Sequence, residues 1–120
     1  MAWDVEFTDE FEDWWDELTE VQQVAVAQRI DLLTQHGPGL RRPYSAEIKG
    51  SAHDPQMKEL RVGEGGALRI LFVFDPRRTA ILLVGGDKTG QWNRWYSTAI
   101  PAADVLYDTY LHELREEGMI

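Results

Sequence analysis

The chain has 120 residues, no cysteine, 21 acidic residues against 12 Lys and Arg for a formal net charge of −9, and 43% hydrophobic content. That length suits one domain, residues 1–120, able to bury a core without staples, and the composition excludes a disordered chain. The missing cysteines remove disulfides, thiolate metal sites and cysteine nucleophiles together.

Trp3, Val5 and Phe7 alternate with Asp4 and Glu6, the period-two pattern of a half-buried strand. Thr8 and Asp9 are placed to cap a helix, with Glu12 completing a capping box from Asp9. Phe11, Trp14, Trp15 and Leu18 then share one face of that helix. Thr19 with Gln22 repeats the cap signature and opens a second helix carrying Val21, Val24, Ala25, Ile30, Leu32 and Leu33. His36-Gly37-Pro38-Gly39 ends it, because glycine accepts the left-handed conformation after a helix and proline cannot continue one. A short strand is expected near Ala46–Lys49. Three more follow in series: Met57–Val62, a turn at Gly63-Glu64-Gly65-Gly66, Leu68–Phe74, a turn at Asp75-Pro76-Arg77-Arg78, and Thr79–Val84 ending at Gly85-Gly86. Close strands joined by short turns make an antiparallel meander. Asp87–Asn93 is expected as loop, and Trp95–Thr98 carries no clear pattern. Pro101 suits the first turn of a last helix, whose buried face is marked by Ala103, Leu106, Tyr110 and Leu114. The expected class is α+β: a mostly antiparallel sheet with an N-terminal helical hairpin and a C-terminal helix packed on one face.

The charge is partitioned along the chain. Residues 1–40 hold ten acids and one base, a balance of −9; residues 41–94 hold six acids and ten bases, a balance of +4; residues 95–120 hold five acids and one base, a balance of −4. Positive charge concentrated in the strand-rich centre points to nucleic acid despite the acidic total. The N-terminal residues lack the basic and apolar regions of a signal peptide, and the longest apolar runs are too short to cross a bilayer, so a cytoplasmic protein is expected with no membrane partner.

Catalytic motifs are mostly absent. His36, His53 and His112 fall on three different elements, so no metal site is expected, and no cofactor either. Asp87-Lys88-Thr89 lacks the glycine a phosphate-binding loop needs before its lysine. Ser45, Ser51 and Ser97 have no nucleophile-elbow context. What remains is basic. By strand parity Leu60 and Val62 face the helices, while Glu59 and Arg61 take the other face. Arg69 shares that second face on the next strand, so two guanidinium forks can converge on a phosphate. Lys88, Trp92, Arg94, Trp95 and Tyr96 follow the third strand, where cations beside aromatics can clamp phosphate and stack bases. Each has an ordinary structural alternative: Arg61 can pair with Glu47 or Glu59, Trp92 and Trp95 can be packing residues, and Lys58 can be a solvated cation rather than an RNA contact.

With these residues assembled, the chain resembles toxins of the RelE/ParE superfamily, most closely the HigB-like, phage-related branch. The likeness covers most of residues 3–115. It is carried by Met57-Lys58-Glu59-Leu60-Arg61-Val62, a glycine turn, Leu68-Arg69-Ile70-Leu71-Phe72-Val73-Phe74-Asp75, the Ala80–Val84 strand and Lys88-Thr89. The resemblance implies a toxin held by a cognate antitoxin, often a helix-turn-helix protein, and metal-free cleavage of mRNA, usually on the ribosome. It implies Arg61 as phosphate clamp, Arg69 as second cation, Lys88 as transition-state stabiliser or acid, and Tyr96 as acid/base or stacking group. Lys58, Trp92, Arg94 and Trp95 are the matching candidates for RNA binding. Two departures stand out: Asp87-Lys88 replaces the paired lysines frequent in relatives, and the exterior is acidic where ribosome-dependent toxins are basic. Two rival functions use the same fold, a ParE-like inhibitor of DNA gyrase without nuclease chemistry and an inactive toxin-like regulatory module.

Overall fold

Thr8 ends the first strand and starts the first helix. In the computed structural model, which describes residues 2–64 and 66–120, β1 (Val5–Phe7) leads into α1 (Asp9–Glu17). The Thr8 hydroxyl accepts from the Phe11 amide at 3.1 Å and donates to the Leu83 carbonyl at 2.6 Å, so one side chain caps the helix and ties it to the sheet. Asp9 is therefore the first helical residue rather than the cap, and with Glu10 and Glu12 it sets negative charge against the helix N-terminus. α2 (Glu20–His36) carries the expected capping box between Thr19 and Gln22. Its buried face runs through Ala25, Val26 and Leu33, whereas Val21 and Val24 lie exposed. Gly37 closes α2 at φ +57°, pressed so closely on Trp3 that a Cβ there would lie 2.3 Å from the indole.

The sheet order is β1-β5-β4-β3-β2. Strands β2 (Ser45–Glu47), β3 (Lys58–Val62), β4 (Leu68–Phe74) and β5 (Ala80–Asp87) pair antiparallel, and β1 lies parallel to β5 at the edge. Gly65, part of the expected turn between β3 and β4, lies outside the described residues. In β5 the register slips by one: Phe72 opposes Leu82 but Leu71 opposes Val84, leaving Leu83 as an extra residue in a β-bulge. β5 also runs through Gly85 and Gly86 instead of stopping there. Two tryptophans replace the missing side chains, Trp14 against Gly85 and Trp95 against Gly86, and a Cβ at either position would sit 2.2 Å from the ring. The last helix, α3 (Asn93–Glu116), starts early enough to include Trp95–Thr98 and places Pro101 in its interior rather than its first turn.

The expectation that all helices share one face of the sheet is corrected. One core joins α1 and α2 to Leu60, Val62, Leu68, Ile70, Phe72 and Leu82. A second joins α3, through Ala99, Ile100, Ala103 and Tyr107, to Met57, Leu71, Val73, Ile81 and Leu83. The reason lies in β4 and β5, which are apolar on both faces. Leaving Leu71, Val73, Ile81 and Leu83 in water would forgo about 1.5–3 kcal/mol for each side chain, so the second face needs a cover and α3 supplies it. No helix among the described residues is long and apolar enough to cross a membrane.

Candidate anion and RNA site

The antiparallel register sets Arg61 of β3 directly opposite Arg69 of β4, and Arg69 directly opposite Gly86 of β5. Like charges in a direct cross-strand pair repel. A third side chain on the same face answers that repulsion. Glu59, only 2% exposed, accepts from Arg61 Nε at 2.9 Å, and its other oxygen lies 3.8 Å from Arg69 Nε. The second distance is too long for a hydrogen bond, so Arg69 Nε is buried without a partner while Arg69 Nη1 donates to the Leu68 carbonyl at 2.9 Å. The Arg61 side chain keeps 32% of its surface exposed and that of Arg69 14%, which makes Arg61 the outer cation and Arg69 the recessed one.

Lys88, from the β5–α3 connection, and Tyr96, from the start of α3, reach the same cluster. A tight turn, with the Gln91 and Trp92 amides each donating to the Lys88 carbonyl at 2.9 Å, brings the start of α3 over the end of the sheet. Gly86 lets Trp95 approach the strand closely there and so brings its neighbour Tyr96 inward. The Tyr96 hydroxyl donates to Glu59 Oε1 at 2.5 Å, and Lys88 Nζ donates to the Tyr96 oxygen at 3.3 Å. The Lys88 ammonium also rests over the Trp92 ring at 5.0 Å and the Tyr96 ring at 5.1 Å. Trp92 takes φ +43°, a conformation uncommon for an aromatic residue, and remains 63% exposed.

These contacts set the proton affinities. Burial first, then the positive charge of Arg69, pushes the Lys88 ammonium below the ordinary lysine value; Glu59 opposes the shift and Arg61 adds to it. Burial, the hydrogen bond to Glu59 and the charge of that carboxylate push the Tyr96 phenol up to about 12. Tyr96 is therefore a proton donor near neutrality and not a base. The arrangement gathers two guanidinium groups, an ammonium that gives up its proton more readily than usual, and a phenol, all organised by one buried carboxylate.

Of the residues expected to act together, Arg61, Arg69, Lys88 and Tyr96 converge. Trp92 and Arg94 stand exposed beside them, and Trp92 carries the Lys88 contact. Trp95 is a packing residue, wedged on Gly86 and edge-on to Tyr96 at 5.1 Å. Lys58 lies apart. Strand parity turns it to the opposite face, where it pairs in register with Glu47 and lines a hollow with Arg41 and Arg42. The face holding Arg61 is not bare as expected, since α3 covers its apolar part and leaves only the polar corner open. Sequence reasoning gives Glu59 no more than a pairing with Arg61; the signal for its central place is the strand parity the two residues share. Among the described residues no group of three or more His, Asp or Glu side chains gathers to hold a metal ion.

A family described as "Phage derived protein Gp49-like (DUF891)" matches residues 13–108. A protein of Mycobacterium tuberculosis named "Putative toxin HigB3" is 46% identical over 100 residues, covering 83% of this chain and 86% of that protein. A second from the same organism, "Putative toxin HigB2", is 43% identical over 89 residues, covering 72% of this chain but only 44% of the relative. Among solved structures, a mutant of the Escherichia coli toxin RelE in the free state superposes with a TM-score of 0.58 at 11% identity, over 77% of this chain and 90% of that one. A chain of the toxin–antitoxin complex RelBE2 from M. tuberculosis gives 0.55 at 16% identity, over 72% and 99%. At such identities the superpositions speak for the fold alone.

Proposed function

The chain belongs to the phage-derived Gp49-like family, and on that premise we propose that it is the toxin of a type II toxin–antitoxin pair, an endoribonuclease that cleaves mRNA on the ribosome until a cognate antitoxin binds it. The observation that carries this reading is the convergence of Arg61 and Arg69, from paired strands, with Lys88, from the β5–α3 connection, and Tyr96, from the start of α3, around the buried Glu59 carboxylate.

Cleavage of this kind needs no group beyond the chain's own side chains. The ribose 2′-oxygen attacks the adjacent phosphorus, its proton leaves to water, and the bond from phosphorus to the 5′-oxygen breaks. The products are a 2′,3′-cyclic phosphate and a 5′-hydroxyl. Arg61 engages Glu59 through its Nε and keeps a third of its side chain exposed, so its terminal nitrogens can fork onto the scissile phosphate. Arg69, recessed behind it, adds fixed positive charge where the dianionic transition state develops. Lys88 protonates the departing 5′-oxygen, a step its lowered proton affinity favours. Tyr96 shares its proton with Glu59 and holds the Lys88 ammonium in place. Glu59 positions three of these groups without touching substrate.

The test is a cell-free translation extract programmed with one transcript and the purified protein, with the new RNA ends mapped. Discrete cuts ending in cyclic phosphate are expected, and Arg61→Ala should slow them about 10²–10³-fold, the usual cost of one oriented charge donor. Intact transcripts with the wild-type protein would remove the nuclease reading; intact transcripts together with inhibition of DNA gyrase would favour the non-nuclease alternative.

A further inference from the structure

At the outer edge of β3, a second ring stands beside the anion site. Tyr44 lies in the loop before β2, and its carbonyl accepts from the Arg61 amide at 2.9 Å, so its backbone is fixed to the residue that bears the outer guanidinium. Arg29 of α2 reaches across from the other layer. Its Nη1 donates to the Arg61 carbonyl at 2.8 Å, and its guanidinium carbon sits 4.6 Å from the centre of the Tyr44 ring. One face of the ring is thus backed by a cation, while Tyr44 as a whole is 40% exposed and contributes nothing to either core. The Nε of Arg29, like that of Arg69, is buried without a hydrogen-bond partner.

Between these groups lies a hollow of about 530 Å³, lined by Arg29, Tyr44, Arg61, Gly63, Glu64 and Arg69. That volume falls within the range of about 300–1,000 Å³ usual for small-ligand sites. Three cations face one acid in its lining, so it favours an anion, and its aromatic wall favours a flat ring next to that anion. A nucleotide has both parts.

We propose that Tyr44, backed by Arg29, is a nucleobase-stacking subsite: a base next to the scissile phosphate stacks on the free face of Tyr44 while Arg61 and Arg69 hold the phosphate. This rests on the ribonuclease reading above and extends it, since it assigns the recognition of a neighbouring base to residues outside the cleaving group. Aromatic stacking accepts every base but favours purines by area, so the subsite contributes affinity and a modest preference at one position.

The experiment uses the full chain in the translation extract, comparing the wild type with Tyr44→Phe and Tyr44→Leu. Tyr44→Phe keeps the ring and should cleave within about twofold of the wild type, whereas Tyr44→Leu should lose about five- to hundredfold at subsaturating protein, the span expected for one stacked base. Tyr44→Leu should also flatten the base preference at a single position beside the cut, which a merely structural role would leave unchanged. Wild-type rate and preference in Tyr44→Leu overturn the subsite and leave the nuclease reading standing. No cleavage by the wild type overturns both. Should Tyr44→Leu fail to fold, transcripts carrying 5-iodouridine, photo-cross-linked to the wild-type protein, decide the matter: attachment at Tyr44 supports the subsite, and attachment only elsewhere overturns it.

Discussion

Replacing Glu59 with glutamine removes one negative charge and almost no volume, and the geometry predicts both a loss of stability and a gain in anion binding. The carboxylate accepts from Arg61 Nε at 2.9 Å and from the Tyr96 hydroxyl at 2.5 Å, and it is the charge that separates Arg61 from Arg69. In Glu59→Gln the amide oxygen can keep the arginine, and the amide nitrogen must then face the phenol. The ion pair with Arg61 becomes a bond to a neutral oxygen, and the bond from Tyr96 loses its charged acceptor, at a cost of about 1 kcal/mol each. The repulsion between the arginines, no longer offset, adds a smaller, solvent-screened amount, so the total loss is about 2–3 kcal/mol. For a chain of this length that lowers the melting temperature by roughly 10 °C. Urea denaturation followed by circular dichroism should show a lower midpoint with an unchanged slope. The site also becomes more positive, so millimolar phosphate should raise the midpoint of the variant more than that of the wild type. A variant within about 0.5 kcal/mol of the wild type, indifferent to phosphate, would show that Glu59 does not organise the cluster, because surface changes alone stay within that margin.

Three further outcomes follow from the same geometry. The Lys88 ammonium should titrate below 10.5 when followed by NMR at its side-chain carbon and nitrogen, and Arg69→Ala should return it toward that value. With Lys88 as the proposed acid, cleavage should fall as pH rises through its lowered value, earlier than for an ordinary lysine. Tyr96→Phe should cost about 1–3 kcal/mol, because it strips a buried carboxylate of one donor, and the phenol absorbance it removes from the ultraviolet titration should be a component ionising at about 12. Gly86→Ala sets a methyl 2.2 Å from Trp95 Nε1 and should destabilise by about 1–3 kcal/mol while displacing Tyr96, so cleavage falls even under conditions where the variant is fully folded. A Gly86→Ala protein with wild-type cleavage would mean that Trp95 does not position Tyr96.

Much of this architecture is legible in the chain before any coordinates. The strand parity of Glu59, Leu60, Arg61 and Val62 is the one observed, and so is the face that Arg61 shares with Arg69, because side chains alternate along a strand. The failures share a cause: contacts distant in sequence decide them. Gly85 and Gly86 read as a strand end until two tryptophans, one from α1 and one from α3, are seen filling their places. The second apolar layer is implied by Leu71 and Val73, but which helix covers it depends on a path across the sheet that local pattern does not encode. Tyr44 and Arg29 carry no motif at all; they meet only because the edge of β3 brings a loop and a helix side chain to the same residue.

The extra residue in β5 decides the sign of the charge set beside Arg61 and Arg69. Side chains alternate along a strand, and Ile81 and Leu83 point toward the α3 side. Unbroken alternation would carry that direction on to Gly85 and Asp87, sending an acid into the opening and Lys88 out behind the sheet. Because Leu83 is unmatched across from β4, the alternation restarts one position later: Gly86 and Lys88 turn inward, while Asp87 accepts from the Thr89 amide at 2.9 Å. The same residues threaded without that bulge would set an anion in place of a cation beside Arg61 and Arg69, with no change of sequence.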